Sequence, residues 1–350
     1  MAMTPTQLQD AVIEGAQRYG NGKFENLTQS FGAFKAVEAS TPESLPISEI
    51  LAAKRASAHV VKLPQMNKQN YTVNSVRSCT PSGTDATSAF QSLSFATIAT
   101  QIVMYPAEAR FNYIGYEAQF AQKIFQALKN LFNDLETKTL TFLEANKSAI
   151  NNTSFTSDGW SVASGVVSAS KATWKTSDMS EYYAALPVIM AENYQRDGGY
   201  QIITNRKPLA YSTFYQNQGT ANAKNTSYQF NGLTFHASDS LTPTAGSDGT
   251  QYVFQMGDVA VGNWNPYEFE ENYVATQAEW YSTIDSSSFG FPRLNFGVFY
   301  RDTCADRSGV QAGTENSRKH VWEISTDIFF LSAYSSDTSK PIKKFELLNT

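Results

Sequence analysis

The 350-residue chain is poor in the side chains that most often announce chemistry: it has three histidines and two cysteines. His59, His236 and His320 share no local ligand spacing, and neither Cys79 nor Cys304 lies in a C-x-x-C, so no metal site is expected. Two cysteines this far apart argue against a disulfide framework and fit folding in a reducing cytoplasm. Charge is scarce too, at 17 % of residues, against about a quarter in ordinary globular proteins. The formal net charge is −5. No run of like charges and no basic stripe with interleaved aromatics occurs, which argues against dedicated nucleic-acid binding. No stretch approaches the roughly 18 consecutive apolar residues of a membrane span. The start, "MAMTPTQLQD", has no charged region followed by an apolar one, so no signal peptide is expected. The sequons at Asn26, Asn146 and Asn225 then carry no meaning.

Catalytic motifs are equally thin. There is no G-x-x-x-x-G-K-[ST], and Gly20-Asn21-Gly22 lacks the third glycine of a dinucleotide loop. "GWSVA" (159–163) misses the G-x-S-x-G elbow, which needs a buried strand before it. "NNTSFTSD" is not one, so Ser161 reads as an ordinary serine. "PYEFEEN" gathers Glu268, Glu270 and Glu271. Paired carboxylates do glycosidic acid–base work only at a set separation across a cleft, which adjacent positions cannot show. With 32 acidic residues, such clusters arise freely. No enzyme and no cofactor are expected.

What the chain does have is aromatic and apolar pattern. Aromatics reach 13 %, and a surface poor in charge and rich in Tyr, Phe and Ser suits a protein covered by partners, or a carbohydrate binder. The run over Tyr252–Tyr300, with Trp264, Tyr267, Phe269, Tyr273, Trp280, Tyr281, Phe291 and Phe299, reads as core or subunit interface ahead of a sugar-stacking platform. "FAQKIFQALKNLFNDL" (120–135) carries a helical stripe two residues wide, and no Gly or Pro interrupts Tyr116 to Ile150. That uninterrupted stretch could run roughly 50 Å, and the prediction is one helix over about 112–150, packed through Phe120, Ile124, Leu128, Leu131 and Leu135.

Around it the expectation is mixed α+β. Thr4 and Pro5 open a helix ending near Gly20, a polar connection follows, and a short helix covers about 48–57. "YTVNSVRSC" and "SFATIATQIVMYP" alternate on either side of the turn-rich "TPSGTDATS", giving a long two-stranded excursion. Its basic residues Lys62, Lys68 and Arg77 are candidates for inter-subunit contact. "SDMSEYYAALPVIMAENYQRDGG" reads as a helix that Pro187 kinks or divides. Then come the buried strand "YQIIT", a helical turn at "KPLAYSTF", and strands in "YQFNGLTFHASDSL" and "GTQYVFQMGDVAVGNW". "HVWEISTDIFFLSAY" and "IKKFELL" supply the last strands.

This order of arm, long hairpin, long helix, α/β region and returning strands resembles the HK97-like major capsid proteins of tailed bacteriophages. "AENYQRDGGYQIITNRKPLAYSTF", "NGLTFHASDSL" and "YVFQMGDVAVG" are similar to that family's axial-domain patterns, and "TDIFFLSAY…KPIKKFELL" to its closing strand pair. The resemblance implies an N-terminal arm (1–57), an extended hairpin or E-loop (58–106), a peripheral (P) domain with its spine helix (107–174 and 301–350) and an axial (A) domain (175–300). It implies a virion subunit, assembled in the host cytoplasm into hexamers and pentamers. Such a shell encloses DNA without binding it specifically and works with portal and scaffolding or decoration proteins. It brings no catalytic residue, metal, cofactor or membrane. Thr234 stands where the family commonly has proline, the first fifty residues show no recognisable cleaved scaffolding segment, and no acceptor for a Lys62 or Lys68 cross-link can be identified. Other readings are an encapsulin-like compartment shell, a carbohydrate-binding protein, or another virion part such as a tail tube or double-jelly-roll coat protein.

Overall fold

A computed structural model of the chain describes residues 30–41, 61–66, 88–106, 116–148, 150, 166–168, 171–175, 179–192, 199–219, 229–230, 232–265, 279–305, 317–332 and 341–348, with isolated residues at 8, 10, 12, 13, 50 and 52. In chain order these form α1 (Gly32–Ser40), β1 (Val61–Met66), β2 (Ser88–Leu93), β3 (Ala96–Met104), α2 (Tyr116–Asn146), β4 (Val166–Ser168), β5 (Lys171–Lys175), α3 (Met179–Glu192), β6 (Tyr200–Thr204) and α4 (Arg206–Gly219). They continue with β7 (Gln229–Phe230), β8 (Leu233–Ala237), β9 (Ser247–Gln255), β10 (Val259–Trp264), β11 (Glu279–Asp285), β12 (Asn295–Ala305), β13 (Ser317–Ser332) and β14 (Lys343–Leu348). The chain is α+β, as expected.

A five-stranded antiparallel sheet is built around the 16 residues of β13. Along one edge β13 pairs first with β12 and then with β10; along the other it pairs with β3. His320, Trp322, Ile324, Thr326 and Ile328 alternate onto its buried face, the period of a strand that covers a core on one side. The second, seven-stranded sheet is mixed, in the order β4-β5-β14-β9-β6-β8-β7. Its strand β6 is buried along its whole length. Trp174, Tyr182, Leu186, Ile202, Val253 and Phe345 form a core of their own here, to which α3 contributes Tyr182 and Leu186.

The excursion exists but is paired differently from the sequence expectation. β1 pairs with β2, Val61 opposite Leu93 and Met66 opposite Ser88. The clearest alternating stretch, Ile98 to Met104, belongs to β3 and pairs with β13 over 200 residues later. "YTVNSVRSC" lies outside the described residues. The expected closing pair is also divided, since β13 sits in the five-stranded sheet and β14 in the seven-stranded one. Likewise β4, β5 and β14 join the seven-stranded sheet, while β10, β11 and β12 join the five-stranded one. The boundaries 107–174, 175–300 and 301–350 therefore cut across both sheets. Alternation reports which face of a strand is buried, not which strand lies beside it.

Three helices also differ. The connection expected as polar contains α1, buried through Gly32, Ala33, Phe34, Ala36, Val37 and Ser40. The turn at "KPLAYSTF" is a 14-residue helix. α3 runs through Pro187 undivided, losing one i→i−4 bond. The predicted N-terminal helix and the one over 48–57 fall almost wholly outside the described residues.

Candidate functional site

The feature that organises the molecule is the rod α2, 31 residues or about 46 Å long. Phe120, Ile124, Leu128, Leu131 and Leu135 are all buried. Phe120 lies 4.3 Å from Trp322 of β13, and Phe132 stacks on Phe291 at 5.1 Å. Phe31 and Phe34, at the start of α1, close on the same Phe132 ring at 5.5 and 5.9 Å. The opposite face is polar and exposed, through Gln122, Gln126, Asn130, Asp134, Thr137 and Thr141. The rod's apolar stripe is thus covered within the chain itself.

Three polar fastenings explain why one helix is so long. At its start, the Tyr116 hydroxyl is 2.6 Å from Nδ1 of the buried His320 on β13. Burial, with Tyr300 and Asp302 nearby, pushes the Tyr116 phenol well up, so it keeps its proton in this hydrogen bond. In its second half, the Glu136 carboxylate accepts from the backbone N–H groups of Ala33 and Phe34, both at 2.9 Å. Burial raises the Glu136 carboxyl and Asp239 adds to this, while the Ser238 hydroxyl and the two N–H groups pull the other way. At its end, Glu144 accepts from the Tyr252 hydroxyl of β9 at 2.5 Å and pairs with Lys147 and with Lys344 of β14. Partial burial raises that carboxyl, but the Lys147 and Tyr252 hydrogen bonds and the Lys344 charge outweigh it and hold it down at about 2. Lys343 Nζ, buried, donates to Ser148 Oγ at 2.7 Å just past the helix end. Burial alone lowers it to about 8, and the carbonyl end of a helix favours the cation. The rod therefore begins on one sheet and ends on the other.

α1 ties the same two sheets together. Ser30 N donates to Asp239 and Ser30 Oγ to the Ala237 carbonyl, beside β8 of the seven-stranded sheet. At the other end Gly257 N donates to the Ser40 carbonyl and hydroxyl oxygens, and Val261 N on β10 donates to Thr41 Oγ1. Gly257, at φ +93°, turns the chain from β9 in one sheet into β10 in the other. That conformation strains any residue with a Cβ.

The ribbon β1–β2 is held quite differently. Val61 and Leu93, at its base, are buried on Phe329 of β13 together with Ile50, and Phe95 packs on the same ring at 5.1 Å. Beyond that base, no further strand pairs with the ribbon among the described residues. Lys62 is exposed and faces Ser92 in register. Lys68, Arg77 and the expected hairpin tip lie outside the described residues.

Among the described residues the chemical alternatives do not gather into a site. Trp280 and Phe291, from the aromatic run, are buried in the core beside Phe296 and Tyr300. They present no platform to a sugar. Tyr281 and Phe299 stack at 4.8 Å on the other face of the five-stranded sheet and are half-buried. His236 lies 2.6 Å from Gln201, and burial first, then Lys35, lowers it to about 4. His320 lies in the other sheet, the five-stranded one. Among the described residues no group of three or more His, Cys, Asp or Glu is placed to hold a metal ion, and no helix is long and apolar enough to cross a membrane. His59, Cys79, Ser161, Glu268, Glu270 and Glu271 lie outside the described residues. Sequence reasoning missed Glu136, Glu144, Lys343 and Tyr116; a lone Glu inside the apolar register of the rod was the one available signal.

No family model matches the chain, and no curated protein matches it. Similar solved structures include one described as Mycobacterium phage Adephagia, 10 % identical, covering 94 % of each chain at a TM-score of 0.48. The capsid of a native GTA particle is 7 % identical over 93 % of each chain, at 0.46. The capsid of the cyanophage P-SCSP1u is 10 % identical over 84 % of each chain, at 0.45.

Proposed function

We propose that this chain is the major structural subunit of an icosahedral phage shell with the HK97-like fold, and that it performs no catalysis. The observation that carries the reading is the ribbon: among the described residues its two strands pair only with each other, and Val61 and Leu93 at its base pack on Phe329. A two-stranded ribbon is marginal in water by itself, and its open edges are templates for pairing with another chain. The apolar faces of the rod and of both sheets, by contrast, are buried within the chain. In this reading β1–β2 and the segment between them are the E-loop, which lies on a neighbouring subunit with Lys62, Lys68 and Arg77 at the contact. The rod and the five-stranded sheet form the P-domain, the seven-stranded sheet with α3 and α4 forms the A-domain, and residues 1–57 are the arm. The order of elements along the chain, which resembles that family, supports this assignment.

Closed rings of hexamers and pentamers multiply modest contacts, so no single pair need be strong. Portal and scaffolding or decoration proteins are the expected partners, and the virion the location. A net negative wall suits a container that holds DNA without adhering to it. Expression of the chain, with light scattering and negative-stain microscopy, tests the proposal. Closed shells of uniform size are expected. A chain that stays monomeric, even with scaffolding partners present, contradicts it.

A further inference from the structure

α1 is short, and its N-terminal end has no local cap. Nine residues are fewer than the roughly 12–15 an isolated helix needs, and its N-cap, Phe31, makes no side-chain cap bond. Its N-terminal N–H groups are satisfied instead by Glu136, about a hundred residues away in sequence. The segment is therefore helical only when docked, which makes it a two-state element.

Its two ends grip different sheets. The front end lies on β8 and its continuation: Phe31 bridges Ser238, Ser30 bonds Ala237 and Asp239, and Gly32 packs on the backbone of Ala237. The back end holds Gly257, in the turn that passes from the seven-stranded to the five-stranded sheet, and Val261 of β10. From these anchors we infer that residues 30–41 are a removable lock across the joint between the two sheets. Docked, they add to the rod's hold on the relative orientation of the sheets; undocked, they leave the rod as the remaining brace and let the Gly257 turn flex as a hinge. Hinges of this kind are a few residues that absorb the backbone change. The inference concerns the single subunit and stands apart from the shell reading.

Two independent variants undock the segment by different means. Gly32→Ala places a Cβ 1.9 Å from the Ala237 carbonyl oxygen, blocking the front contact without touching Glu136. Glu136→Gln keeps the volume but turns one acceptor into a donor, opposite an N–H. In the unassembled full chain, hydrogen exchange is followed over 30–41, 256–262 and 317–325. Spin labels at the exposed Asn295 and Lys207, with Cys79 and Cys304 changed to Ser, report the distance between the sheets. In both variants exchange should quicken by about tenfold or more in 30–41 and 256–262 but not in 317–325, a local opening, and the distance distribution should broaden. The lock is overturned if 30–41 opens while the distance distribution keeps its parental width. It is also overturned if 317–325 opens to the same extent, since the segment is then no separable element, or if neither variant opens 30–41.

Discussion

The rod and the ribbon are both long excursions of the chain, and the structure resolves them in opposite ways. The rod's length is used up inside the subunit. It starts on His320 in one sheet, caps α1 through Glu136 midway, and ends among Tyr252, Lys343 and Lys344 in the other. Its exposed face is polar, so it asks nothing of a neighbour. The ribbon has a small apolar foot, Val61 and Leu93 on Phe329, and pairs with nothing else described. Length alone is therefore no evidence for assembly. What matters is whether the apolar face and the strand edges are already answered within the chain.

The sharpest way to break this contrast is Ile124→Asp. Ile124 is fully buried on the rod's inner face, and an unpaired carboxylate there should cost about 4 kcal/mol or more. Chemical denaturation should find the whole subunit unfolded or molten, not merely unassembled. Glu136→Ala comes next. It leaves two buried N–H groups of α1 without acceptors, at about 1–3 kcal/mol each, and a fall of about 2–4 kcal/mol in the urea midpoint analysis is expected. A loss below about 0.5 kcal/mol would show that α1 is a passive passenger on the rod.

Lys343→Met sharpens the account of the rod's far end and carries a sign. The folded pKa of Lys343 is about 8 and the unfolded one about 10.4. Between those values the unfolded chain binds a proton that the folded chain does not, so stability rises as pH rises through that window. At pH 7 the side chain is charged in both states, and the penalty of burying that charge is present in full. Replacement by Met, of similar volume, should stabilise the subunit at pH 7 by about 1–3 kcal/mol and flatten the rise between pH 8 and 10.5, apart from other groups. Thermal unfolding at pH 7 and pH 10 reads both effects. Destabilisation at pH 7 would mean that the Ser148 hydrogen bond and the helix terminus outweigh desolvation.

The rod was legible in the sequence because its stripe is local: residues three and four apart meet on one face whatever lies opposite. β13 and the wholly buried β6 were legible for the same reason, through alternation and through a short run rich in Tyr and Ile. α1 was not, because its cap is a carboxylate about a hundred residues away, its N-cap position is Phe31, and the neighbouring Ser30 bonds Ala237 and Asp239 instead. Strand neighbours were not legible either. Ile98 to Met104 alternates equally well for a hairpin mate and for β13, and only the tertiary fold decides. The same limit hid the division of β13 and β14 between two sheets. The polar fastenings of the rod, Tyr116–His320 and Glu144–Tyr252, pair residues 204 and 108 positions apart, beyond the reach of any motif.

The smallest effect on the subunit is expected from the most telling change, removal of residues 80–87 at the expected tip of the ribbon, measured on one preparation by thermal unfolding and by light scattering. If the ribbon takes its partners from sister subunits, the midpoint should stay within about 2 °C of the parent while closed particles disappear. A midpoint that collapses, or particles that form as before, would contradict the account.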